Sequence, residues 1–212
     1  MLTASTAYVI RPLALTDTDE ASIERLWQEA LGSRWPIAAS LLVQCLGRSG
    51  DPHRFIQRGA FVDSRLVGIG VAEITDQTEA TLILLAVVPD CQRHGIATRL
   101  LYDLRLIFEA KGIRTVTLGA GASQPLWHGI PLSLPGAVAF FQHHGCELDE
   151  ASDDLVRDLS DFRAPTPVLK RARQYGVRFK ALSTREVSSL LAFEKTHFPY
   201  WYSFFAAAIA DG

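Results

Sequence analysis

Along the chain the spacing of apolar residues changes most sharply between Leu82 and Leu101. Leu82 to Val88 is a short, unbroken apolar run that includes Ile83, Val87 and Val88, and it predicts a buried strand. Pro89 and Asp90 end it. From Ile96 onward the apolar positions follow a helical period. Ile96, Leu100, Leu101, Leu104, Ile107 and Phe108 share one face, which predicts an amphipathic helix stopping near Lys111-Gly112. Between the two lies a glycine-containing loop, Gln92-Arg93-His94-Gly95. The first amides of a helix lack intrahelical acceptors and sit at the positive end of its dipole. Such a place suits a phosphate or pyrophosphate. Gly95, without a Cβ, lets the backbone approach an anion, and Ala97 keeps the first turn small.

The flanking pattern fills in an alternation of strands and helices. Tyr8 to Leu15 reads as a strand, and Arg11-Pro12 inside it points to a sheet edge. Thr16 to Glu20 is a helix start, followed by an apolar face of Ile23, Leu26, Trp27, Ala30 and Leu31 that Gly32 ends. Pro36 opens a second helix with Ile37, Leu41, Leu42 and Cys45 inward, and Arg48 to Pro52 is a loop. Ala60–Asp63 and Leu66–Ile74 read as a hairpin around Ser64-Arg65. Ile113 to Leu118 is a further strand, and Gly119 to Pro135 is a shaped loop rich in glycine and proline. A short helix runs from Pro135-Gly136 to Gly145, with two short strands expected across Ala151-Ser152-Asp153. Ala164-Pro165-Thr166-Pro167 marks a linker. Beyond it come an expected strand, Val177–Leu182, a capping box from Ser183 to Glu186, and two helices separated by Phe198-Pro199-Tyr200-Trp201.

Composition narrows the function classes. The chain has 212 residues, 48% hydrophobic and 21% charged, with a net charge of −2. That suits one sizeable domain with part of a second. No basic patch with interleaved aromatics suggests nucleic acid. No apolar run approaches the ~20 residues that span a bilayer, and the N-terminus lacks a signal-peptide pattern. Three cysteines without C-x-x-C spacing suggest reduced thiols and a cytoplasmic location. The six histidines show no ligand spacing with a cysteine or acid, so no metal site is expected.

The central loop has neither the Gly-Lys-Ser/Thr of a Walker loop nor a G-x-G-x-x-G fingerprint. Its Gln92-x-x-Gly95-x-Ala97 pattern, placed after Val87-Val88-Pro89, resembles the acetyl-CoA-binding motif of the GNAT superfamily of N-acetyltransferases. Ala137 to Gly145 resembles the closing helix of such domains. The resemblance covers Tyr8 to about Phe162. It implies an α/β fold, a GNAT-like central mixed sheet flanked by helices, over residues 1–163. Residues 164–212 then form a short α/β C-terminal extension, whose order of elements resembles the start of a second GNAT unit. A helical extension of separate origin is the alternative.

The resemblance implies an acyltransferase that uses acetyl-CoA as cosubstrate and a primary amine of a small molecule or peptide as acceptor. The motif strand would pair with pantetheine through Ala86, Val87 and Val88. The amides of Gln92, Arg93, His94, Gly95, Ile96, Ala97 and Thr98 would meet the pyrophosphate, with Arg93 as a cation. Amide formation also needs a route for the amine's proton and a donor for the leaving thiolate. Many GNAT enzymes carry a tyrosine in the closing helix for the latter, and Phe141 stands at the matching position. Glu73, in an otherwise apolar strand, and His128, in the Trp127-His128-Gly129 loop, are the candidate catalytic groups. His143, His144 and Tyr102 are alternatives for the acid. Adjacent helical residues point ~100° apart, so His143 and His144 are not expected to face the site together. A non-catalytic CoA-binding module is the second reading. The aromatic residues between Phe193 and Phe205 suggest packing against the first domain or a homodimer.

Overall fold

The computed structural model describes residues 7–13, 17–47, 53–119, 126–148 and 158–210. The chain falls into two compact units, 1–148 and 149–212. In the first, the elements are β1 (Val9–Pro12), α1 (Asp17–Trp27), α2 (Ala39–Cys45), β2 (Phe55–Val62), β3 (Arg65–Ile74), β4 (Glu79–Val87), α3 (Ile96–Ala110), β5 (Thr115–Leu118) and α4 (Pro135–His143). The strands form one mixed sheet in the order β1-β2-β3-β4-β5. All neighbours are antiparallel except β4 and β5, which are parallel. A parallel pair needs a crossover, and α3 supplies it.

The predicted strand–loop–helix at 82–101 is present, with Ile96, Leu100, Leu104 and Phe108 buried. Leu101 and Ile107 pack at the border of that core. β1 is an edge strand, where the missing N–H of Pro12 costs least. The β2–β3 turn is Asp63-Ser64, both at positive φ (44° and 69°), one residue earlier than expected. Two positive-φ residues match the twist of a tight hairpin, and Arg65 is needed opposite Val62 in the ladder. α1 runs on into a π-helical turn, Gln28–Gly32. α2 begins at Ala39 rather than Pro36, because Ala38 is still extended at ψ 139°. The later start turns Leu42, Val43 and Cys45 inward and leaves Leu41 49% exposed. The loop expected at 48–52 and most of the last expected hairpin lie outside the described residues.

The second unit contains α5 (Thr166–Gln174), α6 (Val187–His197) and α7 (Pro199–Ala210). No strand forms over Val177–Leu182, so this extension is helical among the described residues rather than α/β. A strand needs a partner edge, no strand among the described residues of the unit offers one there, and Phe179 is left 87% exposed. The expected linker instead leads straight into α5. Pro167 sits in its first turn, where a missing N–H is harmless, and Gly176 at φ 65° stops it. The capping box forms as expected: Ser183 and Glu186 satisfy each other's backbone amides ahead of α6. No helix among the described residues is long and apolar enough to cross a membrane.

Candidate active site

A bulge in β4 builds the first wall of the site. Val71 stands opposite Leu84 and Ala72 opposite Leu82, so Ile83 is the extra residue. A bulge re-aims the backbone beyond it. Before it, the Leu82 carbonyl faces β5 and accepts from the Gly119 N–H at 2.9 Å. After it, the Val88 N–H donates to the Val67 carbonyl at 3.0 Å. By strand alternation, Leu85 and Val87 therefore turn their backbone groups away from β3. Among the described residues β5 pairs with β4 only over Glu79–Leu82, and no strand pairs with this side of Leu85–Val87, which is an open edge there.

The loop after β4 folds back on that edge. Pro89–Cys91 makes a 3₁₀ turn. Gln92 donates its N–H to the Pro89 carbonyl at 3.1 Å. Its Nε2 donates to the Val87 carbonyl at 2.9 Å. Both groups of Gln92 hold the loop and are not free for a ligand. Arg93 and Gly95 take positive φ, 63° and 77°. His94 turns its Nδ1 to the Gln92 carbonyl at 2.7 Å. Arg99 is the first residue to donate to a turn carbonyl, that of Gly95, at 2.9 Å. The amides of Ile96, Ala97 and Thr98 precede any intrahelical acceptor, and no side chain caps the helix at Gly95. Among the described residues, a Cβ built on Gly95 would meet only the Tyr8 hydroxyl, at 4.0 Å. The space in front of these amides is thus open, and the positive φ is the only internal demand for glycine.

The second wall comes from α4 and the turn before it. Together the walls enclose a cleft of ≈ 820 Å³ that runs from Cys91–Arg93 and Gly95–Thr98, along Leu85–Val87, to Ser133–Ala137, Phe140 and Phe141, with His143 and His144 at its rim. Both histidines border it: His143 ends α4, His144 is its C-cap, and their ring centroids are 5.4 Å apart. His144 Nε2 is 3.4 Å from Thr98 Oγ1. Its ring packs on Phe140 with centroids 4.5 Å apart. Arg34 closes one end by donating from Nη1 to the Ser133 carbonyl at 2.7 Å. A smaller apolar pocket of ≈ 70 Å³ adjoins the cleft on the side of Leu82 and Leu118. Its outer wall is the 126–131 loop, seated by Gly119. A Cβ there would fall 2.2 Å from the Trp127 carbonyl oxygen, and φ is 75°. Trp127 in turn stacks on Trp27 and meets Trp35 edge-on.

Ala86, Val87, Gln92, Arg93, Gly95, Ile96, Ala97 and Thr98 line the cleft together. Val88 is buried with its amide spent on β3, and His94 faces its own loop. The expected catalytic pair lies elsewhere. Glu73 is fully buried and accepts from Arg54 Nη2 at 2.6 Å. It lines neither cavity. Its place in an apolar strand is met by that ion pair rather than by a substrate. His128 is exposed, while its neighbours Trp127 and Gly129 line the small pocket. Tyr102 is half exposed, with the Arg99 guanidinium 5.5 Å from its ring centroid. Cys91 beside the loop is buried, and burial pushes its thiol pKa up, so it is a poor nucleophile. Among the described residues no cluster of histidine, cysteine and carboxylates suits a metal ion. Ala30, Leu31, Arg34 and Ser133 line the cleft but were not anticipated. Their only sequence signal is the Arg34-Trp35-Pro36 break, since the π-helical turn that presents Ala30 and Leu31 leaves no mark in the apolar spacing.

Residues 20–128, just over half of the chain, match the family model of the acetyltransferase (GNAT) family. The chain belongs to that family, a family of acyltransferases. Solved structures of similar fold agree with this. One is a GCN5-related glucosamine N-acetyltransferase region in a fungal multi-domain GH3 β-N-acetylglucosaminidase, 22% identical with a TM-score of 0.77. That match covers 98% of this chain and 25% of the fungal one, so the chain spans about a quarter of that protein's length. Another is the ribosomal-protein-S18-alanine N-acetyltransferase of Escherichia coli, 22% identical, TM-score 0.52, covering 66% of this chain and 77% of that one. A third is the PaiA N-acetyltransferase of Thermoplasma acidophilum in complex with coenzyme A, 18% identical, TM-score 0.52, covering 69% and 93%. No curated protein matches the chain. At these identities the structural likeness speaks for the fold.

Proposed function

We propose that the cleft takes acetyl-CoA and that the chain transfers the acetyl group to a primary amine of a small molecule or peptide. The observation that carries this reading is the alignment of two unsatisfied backbone surfaces along one cleft. The amides of Ile96, Ala97 and Thr98, with Arg93 and His144 nearby, suit a pyrophosphate. The open edge at Leu85 and Val87 suits the amides of a pantetheine arm, which would bind as an added strand. Of the strand residues expected to bind it, Val87 turns its N–H away from β3 to this edge, while Ala86 contributes side-chain surface.

Acyl transfer then forms a C–N bond to the amine and breaks the C–S bond of the thioester. The amine must first lose a proton, and the thiolate must gain one or remain as an anion. We assign neither step to Glu73 or His128. Phe141, beside both cavities, has no proton to give. The chain's contribution is then to hold the thioester and the amine in reacting geometry, which can itself lower a barrier by several kcal/mol, roughly 7–11 at best. Solvent carries the protons. A thiol-release assay over a panel of sugar, aminoglycoside and peptide amines tests this. Release above the no-amine background, with kcat/KM rising with pH along the acceptor's own ionisation, is the expected result.

Phe141 favours a second reading, a CoA-binding module without turnover. Binding of acetyl-CoA with no thiol release from any amine would select it. We further propose a cytoplasmic protein, consistent with three free thiols, and a homodimer formed through the C-terminal unit.

A further inference from the structure

We infer that the apolar pocket beside Phe141 receives the acyl chain of the donor, and that the preferred donor carries a short acyl group longer than acetyl. The inference rests on the donor site proposed above and adds the class of acyl group it takes. Leu31, Leu85, Leu134, Ala137 and Phe141 line both the cleft and the pocket, so the two adjoin. The pocket lies farther along β4 from the 92–98 loop, in the direction in which a pantetheine arm would extend. Among the described residues its lining holds no ionisable side chain, and Trp127 is its only side chain with a hydrogen-bonding group. An ammonium group would be neither held nor deprotonated there. An alkyl chain meets no such cost. The cavity measures ≈ 70 Å³. One water-sized group needs roughly 10–15 Å³ on this measure, so about five such groups fit. That exceeds the methyl of an acetyl group and falls short of a long fatty chain. The bonds made and broken are those of acetyl transfer.

Calorimetric titration of the full chain with CoA, acetyl-CoA, butyryl-CoA and octanoyl-CoA tests this. Burial of each methylene should tighten binding about fourfold, so butyryl-CoA should exceed acetyl-CoA by about fifteenfold. Octanoyl-CoA should bind no tighter than butyryl-CoA. Ile130→Trp, which fills the pocket, should bring the butyryl-to-acetyl ratio to one or below. Leu118→Ala, which enlarges it, should let octanoyl-CoA overtake butyryl-CoA, and it decides the matter if Ile130→Trp does not fold. Equal affinity for acetyl- and butyryl-CoA, or a ratio unmoved by both variants, would overturn the inference while leaving the donor site intact. Failure of all four ligands to bind would overturn the donor site as well.

Discussion

Phe141 is 8% exposed and packs edge-on against Phe140, at the joint between the cleft and the small pocket. On the proposed donor site, a hydroxyl on its ring would stand beside the leaving thiolate as a proton donor in place of solvent. Phe141→Tyr is expected to raise kcat by up to about tenfold, below the roughly 10²–10⁴ of an evolved acid. Steady-state kinetics check it, and an unchanged kcat in a folded variant would show that the ring faces away from the sulfur. Glu73 leads to the opposite expectation. Its carboxylate is buried against a half-exposed Arg54. Arg54→Ala should leave a buried charge without this partner, a cost near the lower end of the about 3–5 kcal/mol for breaking a buried pair. Glu73→Gln and His128→Ala should each change kcat/KM by less than about twofold, with the pH profile unmoved. A shifted profile in Glu73→Gln would return that residue to the chemistry. An acidic residue in an apolar strand is conspicuous in the sequence, but its partner Arg54 lies in the turn before β2, and only the fold brings them together.

At the scale of elements, what could be read from the sequence was what local spacing decides. The change from apolar run to 3.6-residue period marked β4, the loop and α3. Pro12 marked an edge, and Ser183 to Glu186 marked a cap. What could not be read depends on pairing between distant segments. The Ile83 bulge, the short reach of β5 and the π-helical turn shape the cleft, and none of them follows from the spacing of apolar residues. The strand expected at Val177–Leu182 failed for the same reason, since an apolar alternation needs an edge to pair with. The cap itself gives a pH prediction. Hydrogen bonds from Lys180 and Ser183 lower the Glu186 pKa from 4.5 to about 2. A carboxylate with a depressed folded pKa contributes stability that is complete above its unfolded value and is lost as pH falls through the folded one. The start of α6 should therefore loosen as pH falls from 4.5 toward 2, and amide exchange at Glu186 and Val187 reads it. Protection that stays constant across that window would contradict the cap's role.

For the whole molecule, the C-terminal unit exposes Tyr175, Phe179, Phe193, Phe198 and Trp201, more aromatic surface than a soluble monomer usually leaves in water. If a second copy covers it, the full chain should sediment as a dimer at micromolar concentration. Phe198→Ser with Trp201→Ser should then give a monomer that still binds CoA. A wild-type monomer would remove the dimer proposal without touching the site. The central claim is that the loop and helix start at 93–98 hold the phosphates of a CoA thioester. Among the described residues the Tyr8 hydroxyl is the one group that a Cβ on Gly95 would meet, at 4.0 Å, so a side chain there reports on the ligand. Its internal cost is limited to left-handed backbone strain, about 1–2 kcal/mol. The deciding measurement is calorimetric titration of acetyl-CoA into the wild-type chain and into Gly95→Trp, with a thermal melt to show that the variant is folded. The expected result is saturable one-to-one binding by the wild type and at least a hundredfold weaker binding by the folded variant. Equal affinity in the two proteins would contradict the assignment of the loop.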